Sequence, residues 1–434
     1  MKKNTNESAT NACVDTVSSP VLRFAIVILC SADSAVAPLY GRENGGSVTL
    51  HRGPRCTSFF VAVTTYPANT TLTATHTDIT DAPDAAELPP MFERYRNDLA
   101  DALKAGLAKS TNLPEPPAQL DVYGMLRYGM GWADTNGHDV EATTGKALRP
   151  TLCLFACEAT GGDPDQAMPA AVALEYIHNF SLIHDDIQDR DETRHHRATI
   201  WAVWGVPKAI MAGNVLRTVA DVSLSDLTGL GLSPDEIVEL TGTLTGAYLE
   251  MIEGQFLDLS YESRGDISLP EYLDMIARKT GALIRCSLEL GAYVGSRDAT
   301  TVEAFRECGR ALGTVFQVKD DVLGVWGDPG STGKPVGADV RRKKNSFPVV
   351  HAMANATGPD AAKLQEVYSK DEPDDQDVED VLGVMERAGT RRFAEDLAAR
   401  HSKEALDALA PVELEPGARR QIEELAHFLL VRDH

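Results

Sequence analysis

Positive charge is scarce in this chain of 434 residues. Lysine and arginine number 41 against 64 aspartates and glutamates, a formal net charge of −23. Nucleic acid and anionic membrane surfaces both call for a net basic face, so this balance disfavours either as the main partner. An anionic substrate would have to be met by metal ions or by local basic residues. Long apolar runs are missing too: although 43% of residues are hydrophobic, no stretch reaches the roughly 20 residues of a membrane-spanning helix. The sequence therefore reads as a soluble globular protein. Cysteine shows no pattern. There are seven, an odd number, without metal-ligand or disulfide-framework spacing, and Cys153 and Cys157 fall at helical spacing among apolar neighbours. They are expected to be core thiols in a reducing cytoplasm. The run Val21 to Cys30 is similar to a signal-peptide apolar region, but Arg23 interrupts it and Lys2 and Lys3 lie far upstream, so secretion is not expected.

β-rich segments and internal repeats are also lacking. Residues 1–86 are rich in Ser, Thr, Asn, Pro and Ala with no sustained helical period, and are expected to form a poorly ordered extension. Beyond them apolar periodicity predicts helices over Met91 to Lys109, Lys146 to Thr160, Pro164 to Asp189, Pro207 to Leu227, Pro234 to Tyr261, Leu269 to Gly295 and Thr300 to Leu323. Asp163-Pro164 and Ser233-Pro234 supply first-turn signals. Gly327-Asp328-Pro329-Gly330 reads as a loop, the acidic run Asp371 to Asp380 as a solvated loop, and shorter helices follow to Leu430. The expected fold is all-α, a single large helical bundle over residues 87–434.

Two acidic segments stand out in these helices: His184-Asp185-Asp186-Ile187-Gln188-Asp189 and Gln317-Val318-Lys319-Asp320-Asp321. At 100° per residue His178, Asp185 and Asp189 share one helical face, and Gln317, Asp320 and Asp321 form a similar stripe. Their apolar neighbours, Phe180, Leu182 and Ile183 on one helix and Val318, Val322 and Leu323 on the other, mark both helices as buried. Carboxylates so placed need cations, and an oxygen-only ligand set favours a hard ion such as magnesium. Magnesium commonly bridges carboxylates to phosphate oxygens, so two facing acidic helices point to a bound diphosphate. Basic residues stand where a second anion would need them: Lys146 and Arg149, the cluster Arg194-His195-His196-Arg197, Lys279 beside Thr280, and Lys334 with the run Arg341 to Lys344.

From about residue 90 onward the chain resembles the trans-isoprenyl diphosphate synthases. The resemblance rests on Gly145-Lys146-x-x-Arg149-Pro150, His178 through Asp189, Gly254-Gln255-x-x-Asp258, Lys279-Thr280-Gly281-Ala282-Leu283-Ile284, Phe316-Gln317-x-x-Asp320-Asp321 and Gly333-Lys334-Pro335. It implies an all-helical enzyme that condenses isopentenyl diphosphate with an allylic diphosphate, with three magnesium ions when substrate is bound, and a homodimer joined through apolar helix faces. Asp185 and Asp189 would hold magnesium with the allylic diphosphate. Asp320, with Asp321 beside it, would hold a further ion, and Asp186 and Asp321 would give support through water and hydrogen bonds. Lys146, Arg149, His178 and His195 would line the isopentenyl diphosphate pocket. Arg194, Lys279, Lys334 and Lys344 would grip the allylic diphosphate, and the oxygens of Thr280 and Gln317 would face the carbocation.

The chain departs from this pattern in places. His195 stands where an arginine is usual, with Arg197 as its candidate substitute. Gly324 replaces a third aspartate of the second segment, and Asn214 and Ala198 replace an aspartate and a proline. Phe180 and Ser181, beneath Asp185, resemble the floor of geranylgeranyl diphosphate synthases, which implies a twenty-carbon product.

Other readings account for less. A class I terpene cyclase would share the fold but does not need Lys146, Arg149 and His178, and a non-catalytic partner subunit would be expected to lose magnesium ligands. Glu175-x-x-His178 and Glu424-x-x-His427 match a di-iron carboxylate oxidoreductase but leave the other motifs unexplained. Gly327 to Lys334 imitates a nucleotide loop, with spacing one residue too long and Pro335 in the hydroxyl position.

Overall fold

The computed structural model describes residues 88–110, 121–140, 145–262, 264–332 and 335–432, together with the backbone of three short strands nearer the N-terminus. The chain divides into two compact units, Met1–Asp84 and Ala85–His434. In the first, β1 (Asp15–Ser18), β2 (Arg23–Val27) and β3 (Ala62–Thr65) form an antiparallel sheet in that order, pairing Asp15 with Ile26 and Phe24 with Thr65. Short apolar runs that lack a helical period thus pair as strands. The remainder of the expected 1–86 extension lies outside the described residues.

The second unit is helical. Its elements are α1 (Met91–Lys109), α2 (Val122–Gly129), α3 (Leu148–Ala159), α4 (Pro164–Gln188), the two-residue strands β4 (Thr193–Arg194) and β5 (Arg197–Ala198), α5 (Ile200–Trp204), α6 (Val206–Ser225), α7 (Pro234–Tyr261), α8 (Leu269–Ile276), α9 (Ala282–Ser296) and α10 (Ala299–Trp326). A 3-10 turn, Asp226–Leu230, follows α6, and a π-helical turn, Ala277–Gly281, joins α8 to α9. Then come α11 (Pro329–Thr332), α12 (Ala338–Arg341), α13 (Phe347–Asn355), α14 (Pro359–Ser369), α15 (Asp375–Arg387), α16 (Thr390–Leu409) and α17 (Ala418–Val431).

Local chemistry fixes many of these ends. Asp163 caps α4 by accepting from the Asp165 amide, with Pro164 in the first turn, where its missing N–H is not needed. Ser233 with Glu236, and Ser268 with Glu271, close full capping boxes on α7 and α8. Amphipathic burial does the rest: α3 and α9 are buried on nearly every side, and α9 packs between α3 and α10. One large apolar core runs through α1, α3, α4, α6, α7, α9 and α10. A smaller one, with Val325, Val340, Val367, Val381 and Met385, gathers α12 to α15 around the end of α10.

Three local expectations are corrected. Only Gly327 and Asp328 of the expected Gly-Pro loop are non-helical, because Pro329 starts the single turn α11. The acidic run 371–380 is not one loop: Asp374 accepts from the Asp377 amide and starts α15, so its second half is a helix N-terminus, where acidic side chains meet the positive end of the dipole. The helix expected over Leu269 to Gly295 is interrupted by the π turn.

Candidate active site

α4 and α10 deliver the two acidic segments to one cavity of about 1370 Å³. Helical geometry carries Asp185 and Asp189 on successive turns, the Asp189 amide donating to the Asp185 carbonyl at 2.8 Å. Asp185 lines the cavity, whereas Asp189 is the exposed C-cap at its rim. Burial pushes the Asp185 carboxyl up to about 6; Asp189 and Asp258 add to the shift, while Lys279 and Arg194 oppose it. Burial also raises Asp189. Asp186 is buried and accepts from Arg194 Nε at 2.8 Å, so Arg194 is held over the acidic helix end by that ion pair.

Lys279 lies on the π turn, a local widening often found at functional sites. Its ammonium pairs with Asp258 of α7, and a Cβ on Gly254 would stand 2.2 Å from the Lys279 backbone nitrogen. Glycine at 254 is therefore what allows α7 to approach the π turn closely enough for that ion pair. On the next residue the Thr280 hydroxyl donates to Gln317 Oε1 at 2.6 Å, and Gln317 Nε2 donates to Asp321 Oδ1 at 3.0 Å. Both Thr280 and Gln317 line the cavity.

Asp320 also lines the cavity, but Asp321, expected among the metal-holding residues, does not. Asp321 is 1% exposed, and its second oxygen accepts from the Tyr272 hydroxyl and, at 3.1 Å, from the Phe347 amide. With both oxygens occupied, this carboxylate orients Gln317 and the start of α13. Gly324, at the place of the missing third aspartate, leaves room for another carboxylate: a Cβ there would sit 2.3 Å from Asp339 Oδ2. Lys344 is exposed beside this group; against the downward pull of desolvation, Asp321, Asp339, Asp258 and Asp320 hold its ammonium above the usual range. Lys334 lies outside the described residues.

A second basic cluster lies on α3 and α4. Arg149 is 9% exposed, and its Nε has no hydrogen-bond partner among the described residues. Burial lowers its affinity for the proton, while Glu175 and Asp320 act the other way. His178 is half-buried, its exposure directed to the cavity it lines; desolvation, Arg149 and Arg194 hold its imidazole well below the usual range, hence neutral. Lys146 lines the same wall, with its ammonium 5.3 Å from the Phe428 ring centroid. His195 reaches the cavity from the β4–β5 turn, where it and His196 have φ of 50° and 60°, the two left-handed residues a tight hairpin needs. Arg197 cannot act as a free substitute for the missing arginine, because it donates to the Tyr128 and Ala133 carbonyls at 3.0 and 2.8 Å and lies over the Tyr128 ring. Phe180 and Ser181 line the cavity one turn below Asp185.

Sequence reasoning assigned no role to Arg432, Asp258 or Asp339. Arg432 is 6% exposed, lines the cavity, pairs with Asp320 and donates to the Phe316 carbonyl at 2.9 Å. The only signal for it was a basic residue ending the apolar run Phe428 to Val431. Asp258 was visible in its motif, but its pairing with Lys279 was not.

Among the described residues, no three His, Cys, Asp or Glu side chains are grouped so as to hold an ion by themselves. A di-iron site requires such a group, and Glu424 is instead spent on Arg420 at 2.7 Å with His427 exposed. Magnesium makes a smaller demand. One or two carboxylates, waters and substrate oxygens complete its shell, and the raised Asp185 and Asp189 carboxyls beside the cavity fit that donor set.

Comparison with known proteins points the same way. The polyprenyl synthetase family pattern matches residues 132–385. The (2E,6E)-farnesyl diphosphate synthase of Mycobacterium tuberculosis is 38% identical over 313 residues, covering 71% of this chain and 85% of its own length. The geranylgeranyl diphosphate synthase of the same organism is 36% identical over 322 residues, covering 74% and 88%. Among solved structures, a polyprenyl synthetase from Streptomyces coelicolor superposes with a TM-score of 0.71 at 36% identity, covering 79% of this chain and 99% of that one. A geranylgeranyl pyrophosphate synthase from Corynebacterium glutamicum, complexed with isoprenyl diphosphate and magnesium, gives 0.67 at 26% identity, covering 80% and 99%. With the family pattern spanning more than half of the chain and the helical unit following these solved folds throughout, the chain belongs to the polyprenyl synthetase family and is a prenyltransferase.

Proposed function

We propose that residues 87–434 condense isopentenyl diphosphate with an allylic diphosphate in trans, head to tail, and that the main product is geranylgeranyl diphosphate. The observation that carries this reading is one cavity with two cationic ends: Lys279 and Arg194 beside Asp185, and Arg149 of α3 with Lys146 just before that helix and neutral His178 of α4. A cyclase has no use for the second end. Magnesium bound at Asp185, Asp189 and Asp320 would neutralise the charge that builds on the departing diphosphate. Lys279 and Arg194 would add to that neutralisation, and Lys344 and Lys334 would stand beside the same group. Arg149, Lys146, His178 and His195 would hold isopentenyl diphosphate so that its double bond faces the allylic carbon.

As the allylic C–O bond breaks, its electron pair leaves with the diphosphate. The Thr280 and Gln317 oxygens would stabilise the cation, the isopentenyl double bond would close the new C–C bond, and the released diphosphate would accept the proton then lost. The chain's own part is orientation and exclusion of water from a mostly apolar cavity. Phe180 with Ser181 supports a twenty-carbon product, while the two mycobacterial relatives carry farnesyl and geranylgeranyl names. Four described cysteines, Cys153, Cys157, Cys286 and Cys308, are buried and free, which fits a cytoplasmic enzyme. We also infer a homodimer through the exposed apolar faces of α6 and α7.

The test is incubation with isopentenyl diphosphate and, in turn, dimethylallyl, geranyl and farnesyl diphosphates, with magnesium or with chelator, followed by chain-length analysis. Magnesium-dependent elongation ending at geranylgeranyl diphosphate is expected. Failure to elongate any starter would overturn the assignment.

A further inference from the structure

The α6–α7 side of the cavity contains a charged side chain that the reaction does not use. Arg217 of α6 lines the cavity, donates through Nη1 to Asp221 and through Nη2 to the Tyr248 hydroxyl, and lies 4.6 Å from the Tyr248 ring centroid. Tyr248 is 8% exposed. The helices themselves give its depth. α4 and α7 run in the same sense: Gln188 and Gln255 bond at 2.8 Å near their C-terminal ends, while Gly162, just before α4, closely approaches Gly295, and Glu236 in the first turn of α7 pairs with Arg297. Ser181 and Tyr248 each lie seven residues before the bonded glutamines, about 10 Å below the mouth at the helical rise per residue. α6 runs the other way beside α4, with the Ile210 carbonyl at His184 and the turn Asp226–Leu230 still in contact with α4. A Cβ on Gly213 of α6 would stand 2.4 Å from His184 Nε2. Arg217 lies four residues beyond Gly213 and Phe180 four before His184, so the two fall at the same depth.

We propose that Arg217, clamped by Asp221 and Tyr248, is a second determinant of product length. It would close the gap between α6 and α7 opposite Phe180. This rests on the chain-elongation reading above. An isoprenoid tail growing past this level would have to displace a guanidinium from its partners or strip water from it, and either is costly against a hydrocarbon. Steric bulk at Phe180 and charge at Arg217 would then bound the tail on two sides.

The experiment compares product lengths from wild type, Arg217→Ala, Arg217→Leu, Arg217→Lys and Phe180→Ala, using isopentenyl diphosphate in excess over farnesyl diphosphate. Circular dichroism checks the fold, and Arg217→Leu restores bulk where the alanine variant fails to fold. The expected result is a main product longer by at least one isoprene unit in the alanine and leucine variants, and wild-type length in the lysine variant. Wild-type lengths in folded, elongating alanine or leucine variants would overturn the proposal, as would equal lengthening in the lysine variant. A wild-type enzyme that elongates none of dimethylallyl, geranyl and farnesyl diphosphates would overturn the elongation reading and this proposal with it; unchanged lengths beside a wild type active on any of the three would overturn only the role of Arg217.

Discussion

At the scale of single residues, the site depends as much on atoms that are absent as on the groups that carry charge. Gly254 has no Cβ, and the π turn occupies that space. In Gly254→Ala the new atom would meet backbone rather than a flexible side-chain end, at 2.2 Å from the Lys279 nitrogen, so helix or turn must move. The expected cost is about 1–3 kcal/mol of stability, as for overpacking elsewhere. Because the displaced segment carries both Lys279 and Thr280, a loss of about a hundredfold in kcat/KM is also expected, in line with ångström-scale misplacement of catalytic groups. Urea melts and initial rates on the same preparation would check both; wild-type values for either would contradict this account of the packing. Gly324 follows the same logic on α10. It reads in sequence as the loss of an aspartate, yet the space it leaves is taken by Asp339, from a segment 15 residues later in the chain (339 − 324). No local pattern in the sequence could show that substitution, because it exists only once α12 is folded back onto α10.

At the scale of elements, what was legible was whatever the chain writes locally. α1 and α7 have the boundaries expected from periodicity, and α7 begins at Ser233-Pro234 because its cap is coded within four residues. α2 and α5, of eight and five residues, are too short to show a helical period. The π turn was missed because one extra residue in a turn barely disturbs the apolar repeat on either side. The capping boxes also make a prediction about acid stability. Hydrogen bonds from the Ser233 backbone and side chain, then Arg297, hold the Glu236 carboxyl down to about 2 from an ordinary 4.5. The Ser268 side chain and backbone, then Arg264, do the same for Glu271. Since the folded values lie below the unfolded ones, this stabilisation is fully present above pH 4.5 and is lost as the pH falls towards 2. The melting temperature should therefore drop across that window, and the acid limb should be shallower in Ser233→Ala and Ser268→Ala than in wild type. Parallel acid limbs in a pH series of calorimetric scans would show that the boxes do not contribute.

At the scale of the whole molecule, the fold class and the acidic segments followed from sequence because periodicity and motif spacing are chain-local. Pairings such as Arg432 with Asp320, 112 residues apart, depend on how the last helix returns. The same limit applies to association. The sequence marks α6 and α7 as apolar without saying which face is covered. In the folded unit Met211 and Val222 on α6, and Val238, Leu249 and Phe256 on α7, remain 43–70% exposed. The intervals of 11 residues from Met211 to Val222 and from Val238 to Leu249 are close to three full helical turns, so each pair lies on one face. Clustered apolar side chains of this size rarely stay in water on a monomer, and a symmetric pair of copies would cover both helices with the same patch. Val238 and Leu249 do not line the cavity, so replacing them tests association without altering the substrate chamber. Val238→Glu with Leu249→Glu would place two charges in each half of a desolvated interface. The expected loss is about 2 kcal/mol or more, the scale of an interface hot spot, which corresponds to about a thirtyfold or greater rise in the dimer dissociation constant. Light scattering across a dilution series should give a dimer for wild type and a monomer for the double variant at micromolar concentration. A wild-type monomer, or a variant that dimerises as tightly as wild type, would rule out this face as the subunit contact.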